Sequence, residues 1–333
     1  MSPDFLNTIE VIVNGLMTGV MYSLVALGFV LIFKASGIFN YAQGVMALFA
    51  ALTLVGFQTG QVPFAHLINA VFGSDYHHWS AGINNFAAIV LTVLMMVVFA
   101  YLVERLVLRH LINQPPIILF MATIGLAFFL EGLGDLMWGA DIKVLDIGLP
   151  SGGSLWWEEV TRAWAADNSR YFGMYIDVLD VWASGIAVAL VAALTLFSQY
   201  TRTGRALRAV ADDHQAALTV GISLRVIWVI VWSIAGMVAL VAGIMWGAKS
   251  GVQFSLSLIA LKALPVLILG GFTSIPGAII GGLIIGVGEK LFEFTIGPLI
   301  GGATENWFAY VLALIFLMFR PQGLFGERII ERV

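Results

Sequence analysis

Residues 11–33 read VIVNGLMTGVMYSLVALGFVLIF, with no charge and with polar groups only at Asn14, Thr18, Tyr22 and Ser23. Coiled as a helix, a run of this length covers the hydrocarbon core of a bilayer, about 30 Å. The rest of the chain repeats the signal. Hydrophobic residues make up 60% of the 333 positions and charged residues 11%, against about 25% charged in a soluble domain, and mean hydropathy is +0.96. The bilayer is therefore the solvent of most of this protein.

Working outward from the first run, apolar stretches of spanning length recur near 9–33, 39–57, 85–108, 116–138, 178–198, 226–248, 257–272, 277–296 and 304–319. They are continuous, not alternating every second residue, which disfavours a β-barrel. The fold class expected is all-α, a polytopic transmembrane helix bundle of about nine spans in one domain over 1–333. The last three stretches are interrupted by Gly and Pro, so broken or re-entrant segments are expected among them. The first run is too long for the apolar part of a cleaved signal, and Asp4 and Glu10 precede it with no Lys or Arg, so it is expected to stay.

Lys34, Arg105, Arg109, Arg202, Arg205, Arg208, Arg225, Arg320, Arg328 and Arg332 fall in alternate loops and the C-terminal tail. The positive-inside rule puts those in the cytoplasm, with the N-terminus out and the C-terminus in. The other loops carry Asp75, Asp141, Asp146, Glu158, Glu159, Asp167 and Asp177. Trp138, Trp182, Trp246 and Trp307 fall at expected outer ends, as an aromatic belt would.

The chain has no cysteine, which excludes disulfides, thiolate metal sites and cysteine nucleophiles. His77 and His78, near His66 and Asp75, are adjacent and do not share a helix face, so a solvated loop is the better reading than a metal site. No Gly-x-x-x-x-Gly-Lys-Ser/Thr run is present, since Gly286-Val287-Gly288-Glu289-Lys290 lacks the spacing and the hydroxyl. Any energy from nucleotide hydrolysis must come from another subunit.

Two loops exceed simple connectors. The outer insertion 139–177 mixes polar and aromatic residues around Glu158–Trp164, as a short interfacial helix or a Trp-anchored loop would. The inner segment 199–225 is rich in Ala and Arg and is punctuated by Gly204 and Gly221; it reads as a compact helical element on the cytoplasmic surface. It rests on anionic headgroups or seats small residues in a partner's cleft. Gly-x-x-x-Gly spacings at 15/19, 243/247, 277/281 and 282/286 predict close helix packing, and Gly270–Gly271 with Pro276–Gly277 marks a break in the helix pair, a candidate flexible gate.

Charges at membrane depth cost about 2.5–3.5 kcal/mol each on insertion scales. Glu131, Asp135, Lys262, Glu289, Lys290 and Glu293 all count to the outer half of expected helices. They are either structural ion pairs or the wall of a polar vestibule. Asn40-Tyr41-Ala42-Gln43-Gly44 places two amides in an apolar run, as interhelical hydrogen bonds or as a broken helix lining a solute path. The candidate path residues are Asn40, Gln43, Lys262, Glu289 and Glu293.

Three blocks carry a resemblance to a known family. They are Asn14–Gly19 with Ser23–Gly28 and Asn40–Gly44; Gly204-Arg205-Ala206 to Asp212, Ala216-Ala217 and Gly221-Ile222; and Lys262-Ala263 with Leu269–Gly271, Ser274–Ala278 and Gly281-Gly282. In order and spacing they resemble the permease subunits of ABC importers for branched-chain amino acids and related compounds, the LivH/LivM type. The chain departs from that pattern at Val45, where members often carry an acid, and in its long 139–177 segment.

The resemblance implies a transport subunit of the bacterial inner membrane, not an enzyme, that binds no cofactor itself. Its implied partners are ABC ATPase subunits that use ATP, a second permease (LivM-type or identical), a periplasmic solute-binding protein and membrane lipid, with no nucleic acid. It also implies that 204–221 is the coupling helix seated in the ATPase, carried by Gly204, Arg205, Arg208, Asp212, Ala216, Ala217 and Gly221. The default solute is a branched-chain amino acid. Urea, short amides or aromatic acids are the near alternatives, and a stand-alone secondary transporter is the rival from another class.

Overall fold

The computed structural model describes residues 3–73, 82–111, 114–150, 175–212 and 214–326. Over these it forms thirteen α-helices and no extended sheet. They are α1 Pro3–Ser36, α2 Gln43–Thr59, α3 Ala65–Phe72, α4 Asn85–Leu106, α5 Pro116–Trp138, α6 Val178–Tyr200, α7 Arg202–Asp212, α8 His214–Thr219, α9 Leu224–Ser250, α10 Ile259–Gly270, α11 Ile275–Thr295, α12 Gly297–Ile300 and α13 Phe308–Phe319. Each of the nine apolar stretches holds a helix. Six are long and apolar enough to cross a membrane: those within 5–36, 85–111, 116–138, 178–200, 224–250 and 275–295. Three are shorter, Gln43–Thr59, Phe254–Gly270 and Phe308–Phe319, the first two at and the last below the lower limit of about 17 residues for a spanning helix.

The chain divides into two compact units: Met1–Ala26, Gly148–Ala192 and Lys262–Val333 form the first, Leu27–Ile147 and Ala193–Leu261 the second. The second unit is built on α2, whose Gln43–Gly56 face is buried almost throughout and packs against α4, α5 and α9. A Cβ placed on Gly236 of α9 would lie 3.3 Å from Met96 of α4, and one on Gly243 would strike the Ala47 carbonyl of α2. Here glycine sets the distance between helices, as small residues do where no hydrophobic effect drives association.

Trp138 departs from the aromatic-belt expectation. It is fully buried. Its indole N–H donates to Thr53 Oγ1 at 3.2 Å, its ring meets Phe57 edge-on, and it lies over Gly56, where a side chain would collide with it. The reason is local: Gly56 leaves a ring-sized gap on α2, and Thr53 offers the acceptor that a buried indole needs. Trp182 and Trp307 keep exposed faces. Beyond α5 the chain is pinned by a single antiparallel bridge, Lys143 with Val252, at 3.0 and 2.8 Å. Burial draws the Lys143 pKa below the usual lysine value, with Asp141 acting in the opposite sense.

In the first unit, α1 and α11 cross at their glycines. A Cβ on Gly15 would lie 2.7 Å from Val287 Cα, and one on Gly19 would lie 2.6 Å from the Gly282 carbonyl oxygen. The Gly-x-x-x-Gly spacings therefore serve packing. Ser23 completes the seam, donating to Gly19 O at 2.8 Å and reaching Ile279 O at 3.1 Å.

The expected gate at Gly270–Gly277 is a tightly packed turn. Gly270 and Gly277 meet backbone to backbone. Leu324 N–H and Phe325 N–H donate to Leu269 O and Gly270 O at 2.8 and 3.2 Å, strapping the segment after α13 across it. Pro265 lies inside α10, which matches the expected interruption of that apolar stretch. The proposed interfacial helix at Glu158–Trp164 and the His77–His78 pair lie outside the described residues.

Candidate functional site

In the second unit the Asn40–Gly44 block sits where the chain enters α2. Asn40 and Gln43 are 0% and 1% exposed, so every amide group there requires a partner. Asn40 Oδ1 accepts from Ala42 N at 3.2 Å, and its Nδ2 donates to Gln43 Oε1 at 3.2 Å and approaches Met46 Sδ at 3.4 Å. Gln43 Nε2 then donates to the Ala235 carbonyl of α9 at 3.2 Å. A side chain at Gly28 would overlap the Gln43 amide, and one at Gly44 would overlap the Ser257 carbonyl. The glycines quoted with these amides are thus the space in which the amides lie. The arrangement is a closed hydrogen-bonded knot joining α2 to α9.

In the first unit Lys262, Glu289, Lys290 and Glu305 form one connected network. Lys262 of α10 donates to Glu289 Oε1 of α11 at 2.9 Å and to the Glu305 carbonyl at 3.4 Å. Glu289 is 1% exposed and Lys262 30%. Lys290 pairs with the Glu305 carboxylate at 2.8 Å, both about one-third exposed. Tyr22 of α1 places its ring 5.9 Å from the Lys262 ammonium and also reaches the Glu289 carboxylate. Glu289 Oε2 is buried and has no hydrogen-bond partner among the described residues.

Glu293, one turn on from Glu289, takes a separate role. Its carboxylate accepts from Ala303 N at 3.1 Å, from Thr304 N at 2.6 Å and from the Thr304 hydroxyl. It clamps a turn in which Ala303 has φ +58°, a left-handed conformation costing roughly 1–2 kcal/mol in an L-residue. Of the five candidate path residues, then, Asn40 and Gln43 join in one knot, Lys262 and Glu289 in one ion pair, and Glu293 in a loop clamp. Tyr22, Thr304 and Glu305 were not singled out from the sequence. Tyr22 carried a signal, a phenol in the middle of the first apolar run, whereas Glu305 stood in a connector and became part of the network only by folding.

The inner segment forms two short helices, α7 and α8. Gly204 is buried, and a side chain there would collide with the Phe197 and Ser198 carbonyls, so it seats α7 against the end of α6. Leu207 and Val210 are buried and Ala217 is 3% exposed. Arg205, Ala216, Leu218 and Val220 face outward. Gly221 has φ +84° and donates to Leu218 O, turning the chain toward α9. Arg208 donates to Gln199 O at 3.2 Å, tying the helix back to α6. The element is a small scaffold that holds a mixed Ala, Leu and Arg face outward.

Residues 11–320 match the family model described as "Branched-chain amino acid transport system / permease component". The chain belongs to this family. It is 27% identical over 345 residues to the high-affinity branched-chain amino acid transport system permease protein LivH of Escherichia coli (strain K12), covering all of both chains. It is 28% identical over 339 residues to BraD of Pseudomonas aeruginosa, a permease protein of the same description, covering 99% of this chain and 100% of that one. A probable LivH permease of Methanocaldococcus jannaschii aligns over 145 residues at 28% identity, 42% of this chain and 46% of that one. PsaBC from Streptococcus pneumoniae in complex with Fab superposes at TM-score 0.42 and 13% identity, too distant for any inference. The family relationship makes this permease a membrane transport component, in keeping with its six long apolar helices.

Proposed function

We propose that this permease is the membrane subunit of an ABC importer that moves branched-chain amino acids across the bacterial inner membrane. Its partners are separate ATPase subunits that consume ATP, a second permease chain and a periplasmic solute-binding protein. The match over residues 11–320, with relatives of the same length named as branched-chain amino acid permeases, carries this reading. The N-terminus faces out and the C-terminus in, in accord with Lys34, Arg105, Arg109, the Arg202–Arg208 group, Arg225 and Arg320. Segment 204–221 is the ATPase contact. Its outward residues Arg205, Ala216, Leu218 and Val220 are the ones that meet the partner, while Gly204, Arg208 and Ala217 hold its shape.

The solute path borders the Lys262–Glu289 pair on α10 and α11, and the Asn40–Gln43 knot holds α2 to α9. An ion pair at this depth with one free carboxylate oxygen is the kind of group that marks pathways in membrane proteins. The chain is to be expressed with its genomic neighbours, purified through a tag on this subunit and reconstituted in proteoliposomes. Recovery of an ATPase, and leucine uptake requiring both ATP and the external binding protein, is the expected result. Uptake by this chain alone, driven by an ion gradient, would establish a secondary transporter instead.

A further inference from the structure

Between α2 and α4 the chain forms α3, an eight-residue helix that the apolar runs of the sequence did not announce. Gly60, left-handed at φ +68°, closes α2. The entry to α3 is then fixed on the end of α5: Phe64 N–H donates to Met137 O at 3.0 Å, and Gln61 Nε2 donates to Trp138 O at 2.8 Å. Met137 and Trp138 are the last two residues of α5, a helix of spanning length. Residue Ile83 returns the chain to the end of α2, donating to Phe57 O at 3.2 Å. Thus α3 starts at the level where α2 and α5 end, at the rim of the second unit.

At 3.6 residues per turn, Leu67, Ile68, Val71 and Phe72 share one side of α3, and Asn69 points away from Leu67 and Val71. A helix on an aqueous surface turns its polar side out and its apolar side in. Here the sense is reversed. Leu67, Val71 and Phe72 are 48%, 66% and 77% exposed, whereas Asn69 is half-buried and Ala65 is buried. The rotation is imposed by the fold, because Phe64 just before α3 has φ +60°, a conformation that persists only where its surroundings fix it. Its N–H on Met137 and its carbonyl, which accepts from Ile68 N at 2.9 Å, do so.

The exposed apolar side of α3 is continuous with one at membrane depth. α3 packs against α5, which turns Met121, Phe128, Phe129 and Leu136 outward. On a helix of spanning length such a face meets hydrocarbon. A short helix at the rim with its apolar side on the same surroundings has the form of an interfacial helix, seated at the boundary of headgroups and acyl chains.

We propose that α3 is a membrane-surface anchor whose Leu67–Phe72 side is embedded in the lipid leaflet at the C-terminal ends of α2 and α5. In the orientation proposed above this is the outer leaflet. The anchor holds the connection from α2 to α4 down on the bilayer beside α5. It goes beyond the importer reading and requires only that the chain spans a membrane.

The test uses the complex purified through this subunit, in phosphatidylcholine nanodiscs, with other cysteines in the complex removed. A nitroxide is attached singly at Leu67→Cys, Val71→Cys and, as an aqueous reference, Gln322→Cys, an exposed position after α13. Collisions with oxygen, which partitions into lipid, and with a water-soluble nickel chelate are then compared. At 67 and 71 the oxygen-to-nickel ratio should exceed that at 322 by about fivefold or more, as for a side chain several ångströms below the headgroups. Should a nitroxide prevent recovery of the complex, bimane on Phe72→Cys should be quenched by lipids brominated near the headgroup and spared by aqueous iodide.

A ratio at 67 and 71 equal to that at 322 would overturn the proposal, because the face would then stand in water. Exclusion of both reagents would overturn it as well, since another protein chain would cover the face. Neither result depends on the solute carried, so failure of the importer reading in the uptake assay leaves this test decisive.

Discussion

Lys262→Met should destabilise the protein more than Glu289→Gln, although each removes one half of the same 2.9 Å ion pair. The asymmetry comes from burial. Lys262 is 30% exposed and also donates to Glu305 O, so on losing Glu289 it still has water and a carbonyl. Glu289 is 1% exposed and already has one oxygen without a partner, so on losing Lys262 it becomes a buried charge answered only by the neutral Tyr22 hydroxyl. Breaking a buried pair from one side costs about 3–5 kcal/mol; the partial exposure of Lys262 favours the lower end, near 3 kcal/mol. Glu289→Gln leaves a partly hydrated ammonium and an amide that still accepts, a cost of about 1–2 kcal/mol. In the double variant Lys262→Met with Glu289→Gln no charge is stranded, and coupling of at least about 1 kcal/mol is expected, within the range for groups in contact.

The assay is thermal unfolding of the purified complex in one detergent, run as a double-mutant cycle, with leucine uptake measured in parallel. The double variant should regain stability over Lys262→Met. It should not regain transport if the pair borders the path. Equal costs for the two single variants, or additive costs in the double, would refute the burial argument, and full transport by the double variant would remove the pair from the path.

Gln43→Leu removes the extra donor to the Ala235 carbonyl and leaves one buried Asn40 donor without its amide partner, so a loss of about 1–3 kcal/mol is expected in the same unfolding assay, with Gln43→Glu no better tolerated. Ala216→Trp enlarges an outward residue of α8 and should lower ATPase recovery and transport while leaving the inserted permease intact, measured by co-purification. Ala217→Trp, at a buried position, should instead reduce the amount of permease itself, by an overpacking cost of about 1–3 kcal/mol. Single cysteines at the exposed positions Ser250 and Gln322 should label with an impermeant thiol reagent only from outside and only from inside, respectively; labelling of Gln322→Cys in intact cells would reverse the topology.

The sequence by itself determined the medium, the helical class and the order of the elements. Hydrophobicity is local and additive along a run such as 11–33, and a backbone in hydrocarbon must bond to itself, which leaves helix as the outcome. It also determined the small-residue seams, because Gly15, Gly19, Gly282 and Gly286 permit a close crossing whatever the partner. Of the apolar stretches, 257–272 holds a short helix with Pro265 inside it, and Pro276 opens the next helix at its first turn, where a missing N–H costs nothing.

Only the tertiary structure decided which polar group answers which. Glu289 and Glu293 share a face of one helix, yet one bonds to Lys262 across to α10 and the other to a turn ten residues ahead. Gln43 finds its acceptor 192 positions away, and Trp138, which the sequence placed in the membrane interface, is enclosed over Gly56. A charge or amide in an apolar run announces that it needs a partner, because desolvation makes an unmet group costly. Composition cannot name that partner, since several groups at similar depth satisfy it equally well until helix crossings of a few ångströms bring one within reach.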